Sequence, residues 1–209
     1  MGDLADAASL ATAAGTLILA AATFSSVRSA NRAAKAAERS LLAGIRPVLA
    51  STRFQDPEQK IGWQDEHWTR VPGGYAAVEP TDEVIYLSMG VRNVGTGMAV
   101  LHGWHPYPDR DPERTRPDPA DFRRLTRDLY VPGGDTGFWQ GALRDRDDPL
   151  FAAMAEAIAE RRRFEIDLLY GDHEGGQRVI TRFGVVPAGD DAWLPSVSRH
   201  WNIDRDDPR

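Results

Sequence analysis

A chain of 209 residues, 42% hydrophobic and 27% charged, holds one core of ordinary size plus an appendage and is too short for two large domains. It has no cysteine, which excludes disulfide frameworks, thiolate zinc sites, iron–sulfur clusters and cysteine nucleophiles. The net charge of −6 is uneven: residues 1–46 set Asp3, Asp6 and Glu38 against Arg28, Arg32, Lys35, Arg39 and Arg46, a balance of +2. The acidic remainder is unsuited to nonspecific nucleic-acid binding, which needs clustered Lys and Arg.

Residues 7–27 form a run of 21 without a charge, and at helical rise they would extend about 30 Å, the thickness of a hydrocarbon core. The spacing predicts a transmembrane anchor over residues 1–27. Alanine dominates the run, and Ser9, Thr12, Thr16 and Thr23 dilute Leu10, Leu17, Ile18, Leu19 and Phe24, so a soluble Ala-rich helix is the competing reading. Asp3 and Asp6 stand where a secretory signal would carry positive charge. The basic residues follow the run instead. The positive-inside rule then places the N-terminus outside and the following domain in the cytoplasm. Ala7, Ala11 and Gly15, four apart, form the small-residue face that lets membrane helices pack closely.

Residues 28–43 lack Pro and Gly and continue the helix until Gly44, with Pro47 close behind. Residues 28–46 are expected to be a basic juxtamembrane helix. Val27, Ala30, Ala34, Ala37 and Leu41 step by threes and fours, as a coiled-coil seam does. Arg28, Arg32, Lys35 and Arg39 lie off that seam, either solvated or over anionic headgroups.

After Gly44 the texture changes to short apolar runs between Pro, Gly and Asp clusters, which predicts a mainly β domain over residues 47–203 and a charged tail at 204–209. Candidate strands are 48–54, 75–78, 84–93, 98–104, 128–131, 136–140, 164–170, 178–186 and 196–203. In 84–93, Ile85, Leu87, Met89, Val91 and Asn93 alternate onto the expected core face. Asp148-Pro149 starts one helix over 150–163, with Leu150, Met154, Ala157 and Ile158 as its apolar stripe. Residues 105–127 and 56–74 read as exposed irregular excursions. Short strands with regular turns indicate an immunoglobulin-like β-sandwich with one inserted helix, an open barrel being the alternative.

Several segments carry a resemblance. These are the two N-terminal helical stretches ending in Arg46-Pro47-Val48-Leu49, the run Val91-Arg92-Asn93-Val94-Gly95-Thr96-Gly97-Met98-Ala99, the turn Val131-Pro132-Gly133-Gly134-Asp135 and the segment Tyr170-Gly171-Asp172-His173-Glu174-Gly175. In this order they resemble uncharacterised bacterial single-pass membrane proteins with an immunoglobulin-like sandwich after the anchor. That likeness covers nearly the whole chain and implies a fold; it lends no activity. Asn93, Gly95, Gly97, Gly133 and Gly134 are expected to serve as strand ends and positive-φ turn positions.

Metal chemistry has weak candidates in His102, His105 and Asp109, with Asp111 beside them, but Gly103, Pro106 and Pro108 make the segment a turn with no completing ligand. His173 reads as a turn residue at the surface. The chain has no nucleophile elbow, phosphate loop or dinucleotide fingerprint. Trp63, Trp68, Trp104, Trp139, Trp193 and Trp201 either fill the ends of the domain or anchor an interface.

The expectation is a noncatalytic accessory or scaffold subunit in a bacterial inner membrane, without cofactor or nucleic-acid partner. It would dock a protein partner or assemble with a larger membrane complex, with a protein partner or a second copy engaged through its N-terminal helix. The alternative is a membrane-tethered sensor or metal-dependent hydrolase using residues 102–111.

Overall fold

A computed structural model describes residues 2–207, with side chains from Ala13 onward. Ala7 and Ala11 therefore lie outside the described side chains. The chain divides into two compact units, Met1–Gly44 and Ile45–Arg209.

The first unit is one helix, α1 (Gly2–Gly44), about 65 Å long at 1.5 Å per residue. Nothing in its interior breaks it, because Pro is absent and Ala, Leu, Arg, Lys and Glu dominate. Leu17, Ile18, Leu19 and Phe24 are each about 70% exposed, and Arg28, Arg32, Lys35 and Arg39 are exposed as well. Among the described residues no helix is long and apolar enough to cross a membrane. The span expected over 7–27 therefore lacks support from hydropathy, because Thr16, Thr23, Ser25, Ser26 and many alanines dilute its few large side chains.

The second unit is mainly β and antiparallel throughout. Its elements are β1 (Leu49–Ser51), β2 (Gln59–Gly62), β3 (Trp68–Val71), β4 (Ala76–Pro80), β5 (Ile85–Asn93), β6 (Ala99–Tyr107), β7 (Arg123–Val131), β8 (Thr136–Leu143), α2 (Pro149–Ala159), β9 (Phe164–Gly171), β10 (Val179–Ala188) and β11 (Ala192–Asn202). Strand β5 pairs with β8 along its length and with β1 and β4 at its two ends. A second run places β7, β6, β9, β10 and β11 in order. One residue pair, Trp193 with Ala76, joins β11 to β4.

Ile85, Leu87, Met89 and Val91 share one buried cluster with Leu101, Trp104, Trp139, Phe164, Leu168 and Phe183, so both strand groups line the same core. Tyr170 is fully buried there, and its hydroxyl accepts from the Leu49 amide at 3.0 Å, fastening β1 to β9. Asn93 does the same for the turns. Its side chain accepts from the amides of Val48 and Gly95 and donates to the carbonyls of Gly97 and Val131.

The opposite face of β5 departs from the expected alternation: Tyr86 and Ser88 are buried too. Residues 56–74 are the reason. They form the β2–β3 hairpin rather than an irregular excursion, and Ile61, Trp63 and Val71 cover that face. Residues 105–127 also depart from expectation, since β6 continues through Tyr107 and β7 begins at Arg123, leaving 108–122 as the connection. Helix α2 is capped by Asp148, whose carboxylate accepts from the Leu150 amide. It stops at Ala159, short of residue 163, because Arg161 turns left-handed at φ 51°.

The glycine roles also need correction. Gly134 has φ 79°, as a positive-φ turn residue should, but Gly95, Gly97 and Gly133 are not among the positive-φ glycines. They are needed for close approach: a Cβ at Gly97 would collide with the Ile45 carbonyl, one at Gly95 with that of Arg46, and one at Gly133 with that of Thr96.

Candidate functional site

A cleft of about 600 Å3 is lined by residues of β7, of β8 and of the chain that follows β2. Two hydrogen bonds fix that chain. The Trp63 indole donates to the Gly141 carbonyl of β8 at 3.3 Å, and the Gln64 amide donates to the Thr126 carbonyl of β7 at 3.4 Å. Trp104 and Trp139 pack edge to face behind Gly141. A side chain at Gly141 would strike both indoles, so glycine is required there.

Arg123, Arg124, Asp65, Arg144 and Asp145 are the charged residues of the cleft lining. Asp65 accepts from Arg144 at 2.6 Å and from the Tyr86 hydroxyl at 2.5 Å. The hydrogen bond from Arg144, reinforced by Tyr86, holds its carboxyl well below the usual carboxylate range. Asp65 raises the pKa of Tyr86 in return. Both shifts run away from neutrality, the aspartate's downward and the tyrosine's upward.

A second polar cluster lies on β6, β9 and β10. Arg182 donates two hydrogen bonds to Asp167, at 2.8 and 2.7 Å, and its guanidinium sits over the rings of Tyr107 and Trp201. Glu165 lies 3.4 Å from Arg114, 3.5 Å from Arg163 and 3.6 Å from Arg182. Burial raises the pKa of both Asp167 and Glu165 and pushes the Tyr107 hydroxyl up to about 12. The 108–122 connection supplies Arg114, which stacks on Tyr107. The opposite charges in this cluster are paired under cover, as in a structural ion network.

The proposed metal candidates are not brought together. His102 occupies an irregularity in β6 between Leu101 and Gly103, where burial, then Arg178, lowers its pKa. His105 faces Asp167 across the β6–β9 pairing, and its ring hydrogen-bonds the Asp121 carbonyl at 3.2 Å. Asp109 pairs with Arg114, and Asp111 accepts from the Glu113 amide. Among the described residues no group of three or more metal-ligating side chains could hold an ion. Segment 102–107 is strand rather than turn, because its backbone pairs with β9 despite Gly103 and Pro106.

Apart from Trp63 and Trp104, the cleft residues were missed from sequence, and one signal was present. Gln140 interrupts the apolar run from Phe138 to Leu143, a polar residue in a strand that the structure buries on both faces. Of the tryptophans, Trp63, Trp104, Trp139, Trp193 and Trp201 are buried and Trp68 is exposed.

No family model matches this chain, and no curated protein matches it. A solved structure of a protein from Archaeoglobus fulgidus is similar over 61% of this chain and 93% of its own, at 13% identity and a TM-score of 0.25. Similarity at that level carries no argument about fold or function.

Proposed function

We propose that the chain is a membrane-anchored, noncatalytic accessory subunit whose β unit docks a protein partner. The observation that carries this is the exposure of Leu17, Ile18 and Leu19 at 70% or more. Consecutive helical residues point about 100° apart, so these three take up a wide arc that one packed helix cannot cover. Lipid, or an assembly of helices within lipid, covers it. The basic residues from Arg28 to Arg39 then hold that end at the cytoplasmic surface, with the N-terminus outside. Through the seam from Val27 to Leu41 a second copy is an alternative helix partner.

The β unit is read as an immunoglobulin-like sandwich. Its support is that β5 with β1, β4 and β8, and the run β7-β6-β9-β10-β11, line one shared core and are joined by a single β4–β11 residue pair, with α2 between β8 and β9. A docking role is favoured over a metal-dependent hydrolase because His105, Asp109 and Asp111 are held by different partners, the Asp121 carbonyl, Arg114 and the Glu113 amide.

The test is fractionation of a detergent-free lysate containing the full-length chain, followed by crosslinking in the native membrane. The expected outcome is a carbonate-resistant membrane protein that crosslinks to a defined partner. A folded, unaggregated chain in the ultracentrifugation supernatant would overturn the anchor.

A further inference from the structure

A hydrogen-bond relay runs from the surface of β11 through β10 and β9 to β1. The Leu49 amide donates to the Tyr170 hydroxyl at 3.0 Å, that hydroxyl lies 2.8 Å from Thr181 Oγ1, and Thr181 Oγ1 lies 2.7 Å from His200 Nδ1. Tyr170 and Thr181 are both fully buried, so neither hydroxyl can turn to water. His200 reaches solvent, with Nδ1 turned inward onto Thr181.

One arrangement gives every hydroxyl proton of this relay an acceptor. Tyr170 takes the Leu49 amide proton and gives its own to Thr181, and Thr181 gives its own to Nδ1. Nδ1 must then be bare, with the proton of the neutral ring on Nε2. A proton on Nδ1 reverses the last bond and leaves the hydroxyl proton of Thr181 or of Tyr170 without an acceptor in the relay, in a place closed to solvent. If the protonated ring swings into water instead, Thr181 loses its acceptor all the same. Around His200, β10 presents Thr181 and β9 presents Tyr170, while Arg199 on its own strand lies over Trp201. Arg46, from the segment between α1 and β1, acts on it by charge and repels the imidazolium. Desolvation first, and then Arg46, hold the His200 pKa below its ordinary value.

We infer that His200 is a proton-operated latch on β1, closed while the ring is neutral and opened when Nδ1 takes a proton. Opening loosens Tyr170, the side chain that fastens β1 to β9. A depressed folded pKa makes the stabilisation complete above about pH 6.5 and lost as pH falls through the lower folded value. Strand β1 is the first element after α1, so acid loosens the β unit where the chain enters it, wherever α1 resides.

NMR of the full-length chain in mild detergent tests this, with imidazole nitrogens labelled and amide exchange followed residue by residue. Neutral His200 should show a bare Nδ1 and a protonated Nε2. The protection factor of Leu49 should fall at least about fivefold as His200 takes up its proton, the low end of what a stranded buried hydroxyl costs. That of Phe183, which faces Ile166 within the β9–β10 pairing, should fall less. His200→Gln cannot titrate and should hold the Leu49 value level with pH. Thr181→Val keeps the shape and removes the relay, so it should raise the His200 midpoint toward its ordinary value and uncouple Leu49 from pH; Thr181→Ser should restore both. A neutral ring with its proton on Nδ1, Leu49 protection level with pH in the unsubstituted chain, an acid loss that persists in His200→Gln, or a His200 midpoint indifferent to Thr181→Val would each overturn the latch. The tautomer and His200→Gln decide it even where Thr181→Val does not fold.

Discussion

Arg182 and Asp167 lie side by side on neighbouring strands, joined by two hydrogen bonds of 2.8 and 2.7 Å, with the carboxylate fully excluded from solvent. The aromatic rings of Tyr107 and Trp201 flank the guanidinium. Replacing the arginine leaves two buried carboxylates, Asp167 and Glu165, short of their shared cation. Arg182→Met should therefore lower the unfolding free energy by about 3–5 kcal/mol at pH 7.5. The loss should shrink toward pH 5, because both carboxyls already bind protons more readily than usual and would take them up once the cation is gone. Urea denaturation across that range checks it. A pH-independent loss under about 1 kcal/mol would mean the pair is no better than a surface bridge.

Asn93 closes three turns at once, since its partners come from Val48, Gly95, Gly97 and Val131. Asn93→Ala leaves these backbone groups without a partner in a buried place, at a cost of at least about 3 kcal/mol. Hydrogen exchange adds a spatial readout. Protection at β1, which begins one residue beyond Val48, should fall further than protection at β10. Uniform loss across the sheet would point to global destabilisation alone.

These two residues mark where the sequence was legible. Asn93 sits at the end of an alternating run of Ile85, Leu87, Met89 and Val91, so strand, core face and strand end could all be read from periodicity. Glu165, Asp167 and Arg182 could not, because a charged residue on alternate strand positions reads as solvent-facing. Segment 108–122 sends Arg114 onto Glu165 and Tyr107, and its Pro, Asp and Arg content reads as a loop without revealing those contacts. Likewise, the cleft is lined by β7, β8 and the segment of Trp63 and Gln64, which hydrogen-bonds to both strands from far away in sequence. Arg124 and Gln140 are sixteen residues apart, with no local pattern to pair them.

Glycines show the same limit at a single position. Gly97 and Gly134 look alike as turn residues, yet the first is required by contact and the second by conformation. A methyl group at Gly97 would drive into the Ile45 carbonyl, a backbone atom that cannot swing aside. At Gly134 there is open space but φ is 79°. Gly134→Ala should cost about 1–2 kcal/mol, and Gly134→Asn less, because asparagine tolerates that region. Gly97→Ala should exceed both, and Gly97→Asn should give no recovery. Thermal melts of the four variants decide it; recovery by asparagine at Gly97 would contradict the contact argument.

The histidines give the stability a direction with pH. His102, His105 and His200 all have lowered pKa values, chiefly because burial disfavours the imidazolium. For His105 the Asp121 carbonyl, Asp167 and Asp121 pull the value up and Arg123 pulls it down, but burial prevails. A base with a depressed folded pKa binds its proton more readily when unfolded. Its stabilising contribution is therefore complete above about pH 6.5 and is lost as pH falls through the lower folded value. Asp148, held down first by the Leu150 amide and then by Arg123, and Asp204, held down by Arg178, extend the loss below about pH 4. Glu165 and Asp167 act in the opposite sense over the intermediate range, since their raised values favour the folded state at lower pH. The histidine contribution is isolated by difference. His105→Gln should reduce the drop in unfolding free energy between pH 7.5 and 5.5 relative to the unsubstituted chain, measured by urea denaturation at each pH. An unchanged or steeper drop would show that the partly buried imidazole is not what the folded state protects from protonation.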